Sequence, residues 1–233
     1  MLHEMNSHVS SVFITLTYNE ENLPSDGSIS KAELQKFFKR LRKALGERVI
    51  KYYACGEYGE ESGRPHYHAI IFGVSLLERD IIQESWKFGF IQCGTVTYDS
   101  CRYVAQYVDK KYNGDTAKKV YGEKQVPFQL CSKGIGKTWA LHNIRYLQEN
   151  QNITVKGVSV GLPRYYTKLV DIPKEERIKK TEEREREALL TYEKRSFRHH
   201  GNRYHCGDEH RKAVRQKEMN LDSKLNLKRR NKI

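Results

Sequence analysis

The sequence predicts an α+β fold: a central antiparallel sheet of four to five strands with packed helices, followed by a basic, helical or disordered C-terminal appendage. Three observations carry that expectation. Between residues 12 and 112, β-rich and amphipathic runs follow one another as strand, helix, hairpin, helix, strand, helix. Gly59, Gly63 and Pro65 make the stretch between two of the strands a turn, which pairs them antiparallel. From Asp171 the composition shifts, so residues 1–170 are expected to form the folded domain and 171–233 a charged tail.

Val12 to Tyr18 alternates with β-branched residues and reads as a strand, ended by the polar turn around Pro24, Asp26 and Gly27. Ser30 can cap a helix running to about Leu45, with Glu33 at the capping-box position and Gly46 as stop signal. Leu34, Phe37, Phe38, Leu41 and Leu45 give that helix an apolar face; Lys36, Lys39, Arg40 and Lys43 give it a solvated one open to DNA contact. Strands follow at about Val49 to Glu57 and His66 to Phe72, then a helix near Leu76 to Lys87 containing Trp86. Phe90 to Thr97 reads as a further strand, leading into a helix over Cys101 to Tyr112.

The hairpin carries chemistry. In Arg64-Pro65-His66-Tyr67-His68, the two histidines are i and i+2 on a strand, so both imidazoles face one side while Tyr67 faces the other. Glu57, at the end of the partner strand, can reach the same spot, completing a His, His, Glu metal site. An isolated His-x-His is more often a polar pair on a half-solvated strand, and a second element has to raise the odds. The following helix supplies it. Tyr103 and Tyr107 are i and i+4, with Lys110 and Lys111 close by, so phenols and ammoniums share a stripe, while Val104, Ala105 and Val108 suit the buried side. Tyrosines so spaced are commonly half-buried packing residues. Beside a metal site they become candidate nucleophiles that attack phosphorus and conserve the phosphodiester energy in a phosphotyrosine. A dication held by Glu57, His66 and His68 would polarise the scissile phosphate, and the lysines would add positive potential. Nitrogen and oxygen ligands together admit magnesium, manganese or zinc.

Three blocks in order carry a family resemblance: Phe13-Ile14-Thr15-Leu16-Thr17-Tyr18 with Glu20-Glu21-Asn22-Leu23-Pro24, Arg64 through Gly73, and Tyr103 through Lys111. The chain resembles the replication initiation proteins of microviruses, more narrowly the gokushovirus branch, within the HUH endonuclease superfamily. Cys55-Gly56-Glu57-Tyr58-Gly59, Gly134-Ile135-Gly136 and Leu162-Pro163-Arg164-Tyr165-Tyr166 agree with it. The resemblance implies a rolling-circle initiator that nicks an origin in double-stranded phage DNA, stays on the 5′ end and reseals a unit-length single-stranded circle. It implies Mg2+ or Mn2+ as cofactor, host helicase and polymerase as partners, and the host cytoplasm as location. It also implies a basic, cysteine-bearing stretch ahead of the first motif, where only Met1 to Ser11 stand here.

Composition fits such a role. Against 29 Asp plus Glu, 42 Lys plus Arg give a net charge of +13, which favours a polyanion partner with salt-sensitive affinity. A ribosomal or membrane-surface protein would be equally basic. Five cysteines, Cys55, Cys93, Cys101, Cys131 and Cys206, are scattered without a Cys-x-x-Cys pair, which argues for a reducing compartment and against a zinc ribbon. No apolar run approaches membrane-spanning length.

Lys118, Lys119, Lys124, Lys133 and Lys137 among Gly114, Gly122, Gly134 and Gly136 suggest a mobile basic loop in which Lys133 and Lys137 contact phosphate. Gly134 to Thr138 lacks the upstream glycine of a Walker loop, which disfavours NTPase activity. Trp139 to Gln148 reads as a helix and Ile153 to Val160 as a strand-like run. Arg164 is a further candidate DNA contact, beside Tyr165 and Tyr166, which can stack bases or close the core. Residues 171–233 hold 19 Lys plus Arg against 12 Asp plus Glu, a surplus of +7 that is over half of the total. Lys174 to Lys194 is helix-prone, and Lys228 to Lys232 reads as a disordered basic tail. His199, His200, His205, Cys206 and His210 are too irregularly spaced for a zinc site.

Rival readings differ in what they require. A histidine-triad phosphate hydrolase needs a third alternating histidine where Ile70 stands. A plasmid initiator, relaxase or HUH transposase would share the chemistry and differ in DNA substrate and tyrosine number. A non-catalytic DNA-packaging or scaffold-binding protein would use the basic surface alone.

Overall fold

The computed structural model describes residues 1–59, 62–106 and 114–200, with side chains to residue 191, and short pieces at 212, 215–216 and 218–220. Two compact units divide the chain, Met1–Asn143 and Ile144–Ile233.

In chain order the first unit contains α1 (Leu2–Met5), β1 (Ser11–Tyr18), α2 (Lys31–Ala44), β2 (Lys51–Tyr58), β3 (Pro65–Phe72), a 3₁₀ turn (Leu76–Glu78) and α3 (Arg79–Ser85). β4 (Gly89–Thr95), α4 (Tyr98–Gln106), α5 (Gly114–Tyr121), β5 (Phe128–Cys131) and α6 (Lys137–His142) follow. The five strands form one sheet in the order β4-β1-β3-β2-β5, each neighbouring pair antiparallel. This is the α+β fold the sequence predicts, with β3 at its centre.

Strand alternation sorts side chains onto two faces. Val12, Ile14 and Leu16 of β1 with Tyr67, Ala69 and Ile71 of β3 pack against Leu34, Phe37, Phe38 and Leu41 of α2. Each of these helix side chains is fully buried, worth about 1.5–3 kcal/mol relative to exposure. On the opposite face Cys55, Ile70 and Phe72 pack against Cys101 and Val104 of α4. That second face bears the histidines.

Local signals set the element ends. Ser30 Oγ accepts from the Glu33 amide at 3.3 Å, as expected of an N-cap. The Glu33 carboxylate departs from the capping-box expectation: it accepts from the Tyr18 hydroxyl, and the Ser30 amide donates to Tyr67 Oη at 2.7 Å instead. Two strand tyrosines thus tie the helix start to the sheet. Trp86 ends α3 and donates its indole N–H to the Thr17 carbonyl at 2.9 Å.

Several sequence expectations are corrected. The helix over Leu76 to Lys87 is a 3₁₀ turn capped by Ser75 and a shorter α3. The mobile basic loop after residue 112 is a helix, α5, and a fifth strand, β5. Gln125 holds the connection: its amide donates to Ser28 Oγ at 2.9 Å, its carbonyl accepts from Tyr58 Oη at 2.8 Å, and its side-chain oxygen accepts from the Lys31 amide at 2.8 Å. Phe128 then covers Gly56, where a Cβ would meet the Phe128 ring at 2.9 Å. The helix over Trp139 to Gln148 breaks at Asn143. Met1 to Ser11, for which the sequence offers no element, contains α1, whose buried Glu4 accepts from Lys51 Nζ at 2.9 Å and from the Gly136 amide at 2.5 Å.

The second unit holds α7 (Ile144–Asn150), a hairpin of β6 (Asn152–Val155) and β7 (Val158–Gly161), α8 (Arg164–Leu169) and α9 (Lys174–His200). The expected single strand over Ile153 to Val160 is this hairpin, turned through Lys156 and Gly157, both at positive φ. Leu147, Tyr166, Val170 and Ile172 are its buried apolar residues, a small core for so charged a segment. Lys228 to Lys232, His205, Cys206 and His210 lie outside the described residues. No described helix is long and apolar enough to cross a membrane. Cys55, Cys93, Cys101 and Cys131 are free thiols.

Candidate active site

The β2–β3 hairpin brings Glu57 directly opposite His66, and Cys55 opposite His68. Its turn closes through the Gly59 amide, which donates to the Arg64 carbonyl at 2.9 Å, and through Gly63 at φ +62. Arg64 braces the same end by donating to the Tyr18 carbonyl at 2.8 Å and to Glu20 at 2.6 Å. The consequence is convergence. Glu57 Oε1 lies 2.8 Å from His66 Nε2 and 2.9 Å from His68 Nε2, and one ligand atom from each residue lies within 4.8 Å of the others.

Each imidazole is oriented from behind. His66 Nδ1 donates to the Arg64 carbonyl at 3.0 Å, and His68 Nδ1 meets Thr15 Oγ1 at 3.0 Å. Both rings therefore present Nε2 to the shared point, the arrangement by which partners behind a histidine fix a metal-facing nitrogen. Two neutral nitrogens and a carboxylate oxygen suit a divalent ion, and these three residues can hold one.

Charge is shared unevenly. Burial opposes ionisation of Glu57, but hydrogen bonds and attraction from His66 and His68 outweigh it and hold the carboxyl at about 2. For His66, burial favours the neutral ring, yet the hydrogen bond and charge of Glu57 raise its pKa above the ordinary value. With the Arg64 carbonyl on one nitrogen and a carboxylate on the other, the His66 ring is placed to carry two protons, and a cation held there would replace the Nε2 proton.

α4 crosses this face. Thr97 and Ser100 cap it reciprocally, the Thr97 amide donating to Ser100 Oγ at 2.7 Å and the Ser100 amide to Thr97 Oγ1 at 3.2 Å. Burial of Cys101 and Val104 on the sheet turns Tyr103 toward the histidines. Its ring meets His68 edge-on, centroids 5.1 Å apart, and Phe13 at 6.2 Å. A cleft of about 580 Å³ opens there, lined by Phe13, Thr15, Thr17, His66, His68, Gln92, Asp99, Ser100 and Tyr103.

Of the residues singled out in the sequence, Glu57, His66, His68 and Tyr103 thus come together. Tyr107, Lys110 and Lys111 lie outside the described residues. Lys133 and Lys137 are exposed and flank the Gly134 loop, whose carbonyl accepts from Lys51 Nζ at 3.0 Å. Lys51 begins the strand that Glu57 nearly ends, about 20 Å away along the sheet. Arg164 opens α8 in the second unit. The residues that sequence reasoning missed are Thr15, Thr17, Gln92, Asp99 and Ser100. Thr15 and Thr17 stand in the first block of the resemblance and alternate along β1, but only strand order reveals what they face.

The family described as replication-associated protein ORF2/gene 2 protein matches residues 11–112, the span that holds β1, the hairpin and α4. Over that span the chain is similar to this family of replication-associated proteins. It is 30% identical over 190 residues to replication-associated protein VP4 of Bdellovibrio phage phiMH2K, covering 70% of this chain and 59% of that one. Replication-associated protein ORF2 of Spiroplasma virus 4 is 31% identical over 186 residues, covering 68% and 57%. Replication-associated protein ORF4 of Chlamydia phage 1 is 26% identical over 193 residues, covering 72% and 47%. The chain spans about half the length of these replication-associated relatives. No solved structure matches it.

Proposed function

We propose that the chain initiates rolling-circle replication of phage DNA as a metal-dependent nickase and strand transferase of the HUH type. One observation carries the reading: Tyr103 stands edge-on to His68 in the cleft where His66, His68 and Glu57 converge. Similarity to replication-associated proteins supports the biological setting.

In this reading the Tyr103 phenol loses its proton and its oxygen attacks a backbone phosphorus. An O–P bond to tyrosine forms, the P–O3′ bond breaks, and the departing 3′ oxygen gains a proton. A divalent ion, Mg2+ or Mn2+, would supply positive charge to the phosphate when bound by Glu57, His66 and His68. The Thr15 and Arg64 contacts hold both rings for that task. Attack by a free 3′ hydroxyl reverses the exchange and reseals the strand. Tyr107, four residues on in sequence, is the second nucleophile, with Lys110 and Lys111 adding positive potential. Host polymerase extends the freed 3′ end and host helicase unwinds the duplex ahead of it in the cytoplasm, and the basic segment 171–233 holds DNA electrostatically.

The test is to incubate the protein with labelled single-stranded oligonucleotides covering candidate origins and Mn2+, and look for a denaturation-resistant adduct mapped to Tyr103 or Tyr107. His66→Ala and His68→Ala are expected to lower adduct formation by at least a hundredfold, about 2.7 kcal/mol or more, while retaining DNA binding. Adduct formation at full rate under chelation would falsify the metal's part. Unimpaired turnover in the double Tyr103→Phe, Tyr107→Phe variant would remove the tyrosines.

A further inference from the structure

The sheet face that carries Glu57, His66 and His68 also displays one large apolar side chain to solvent. Phe90, on β4, is 67% exposed. Its cross-strand partner on β1 is Thr17, whose partner on β3 is His66. Residues paired across neighbouring strands project to the same side, so His66, Thr17 and Phe90 form one row and His68, Thr15 and Gln92 the next. Thr15, Thr17 and Gln92 line the cleft with the histidines, which sets Phe90 at its rim. Two strand spacings, about 10 Å, separate Phe90 from His66.

The ring is shown from a firm support. Ile91 is buried on the other face, and Gly89 is packed so closely that a Cβ would stand 2.4 Å from the Thr17 carbonyl oxygen and the Asn19 amide. Leaving Phe90 in water forgoes about 1.5–3 kcal/mol of burial. Its neighbours in the two rows are threonines and a glutamine, and the Gln92 amide has no hydrogen-bond partner among the described residues. An apolar ring beside an unengaged amide suits a ligand with a flat apolar face and a polar edge. An unpaired nucleobase has both, whereas an apolar protein surface would leave the amide unsatisfied; the Thr15 and Thr17 hydroxyls already bond His68 and the Phe90 carbonyl.

We propose that Phe90 and Gln92 form a base-binding subsite. Phe90 stacks on the unpaired base next to the phosphodiester held at Glu57, His66 and His68, and the Gln92 amide hydrogen-bonds that base's edge. This rests on the DNA-cleaving reading above and adds to it where the neighbouring base goes. A base within a duplex has its faces covered, so the subsite selects single-stranded DNA.

The test measures equilibrium binding of the full chain, in chelator, to short oligo(dT), oligo(dC) and an abasic oligomer with the same number of phosphates. Phe90→Ala is expected to weaken oligo(dT) and oligo(dC) alike by about tenfold, the stacking contribution of one base. Its affinity for the abasic oligomer, its salt dependence and its melting temperature should match the parent's, and Phe90→Trp should restore the lost affinity. Gln92→Ala should change the ratio of oligo(dT) to oligo(dC) affinity. Unweakened binding of oligo(dT) by Phe90→Ala, an equal loss on the abasic oligomer, or no recovery with tryptophan overturns the stacking role; an unchanged ratio overturns that of Gln92. Because this assay needs no cleavage, a parent protein that forms no adduct refutes the nuclease reading separately from the subsite.

Discussion

Thr15 holds His68 through a hydroxyl that can donate or accept, so it can follow the ring when Nε2 exchanges a proton for a cation. Thr15→Val keeps the shape and removes that bond. Mn2+ affinity, read by calorimetric titration, is expected to fall about 10–100-fold, and Thr15→Ser to keep most of it; a valine variant that binds as tightly as the parent would show that Phe13, whose ring stacks on His68 with centroids 5.9 Å apart, suffices to orient it. The Glu57–His66 pair sets a pH window. Glu57 is depressed, so its contribution is present above the ordinary 4.5 and lost as pH falls toward about 2. His66 is raised, so its contribution is complete below 6.5 and lost as pH climbs through the raised value. Chelated protein should therefore exceed His66→Gln in melting temperature most between these limits, with the gap closing in alkaline buffer; a gap that widens there contradicts the pairing. The cluster of Glu57, His66 and His68 was legible in the sequence because strand periodicity and a glycine-rich turn suffice to bring these positions together. Thr15 was not, because its role depends on β1 lying beside β3, a long-range choice that no local pattern encodes.

The elements read most reliably are those with their own stop and start signals. Ser30 and Gly46 bracket α2 as expected, and the apolar stripe from Leu34 to Leu41 is the buried one. β5 escaped notice because four residues, Phe128 to Cys131, are too short to declare a period. Their strand character comes from the free edge of β2 and the gap over Gly56. Glu33 reads in the sequence as a partner for its own helix end and bonds Tyr18 instead, since the buried phenol needs a partner and the Ser30 amide already has one in Tyr67. At the far edge, β4 meets β1 with no room to spare at Gly89. Gly89→Ala should cost about 1–3 kcal/mol or more, read as a lower urea midpoint, because the new methyl would strike backbone rather than a flexible side chain. An alanine variant with parental stability would mean that β4 does not run so close to Thr17.

For the molecule as a whole, a net charge of +13 makes nucleic-acid affinity a function of ionic strength. Binding to single strands should fall with a log–log slope of about −0.7 for each phosphate neutralised, and His66→Ala should share that slope, since its effect is confined to one position. A flat salt response would exclude the polyanion partner inferred from composition. Strand order adds a different consequence. β3 has two strands on either side, and both histidines sit on it. Its amide protons should exchange with deuterium only when the whole first unit opens, whereas those of β4 and β5 should exchange through partial fraying. Seated in the slowest-exchanging strand, the histidines would keep their spacing through every partial opening that loosens the outer strands.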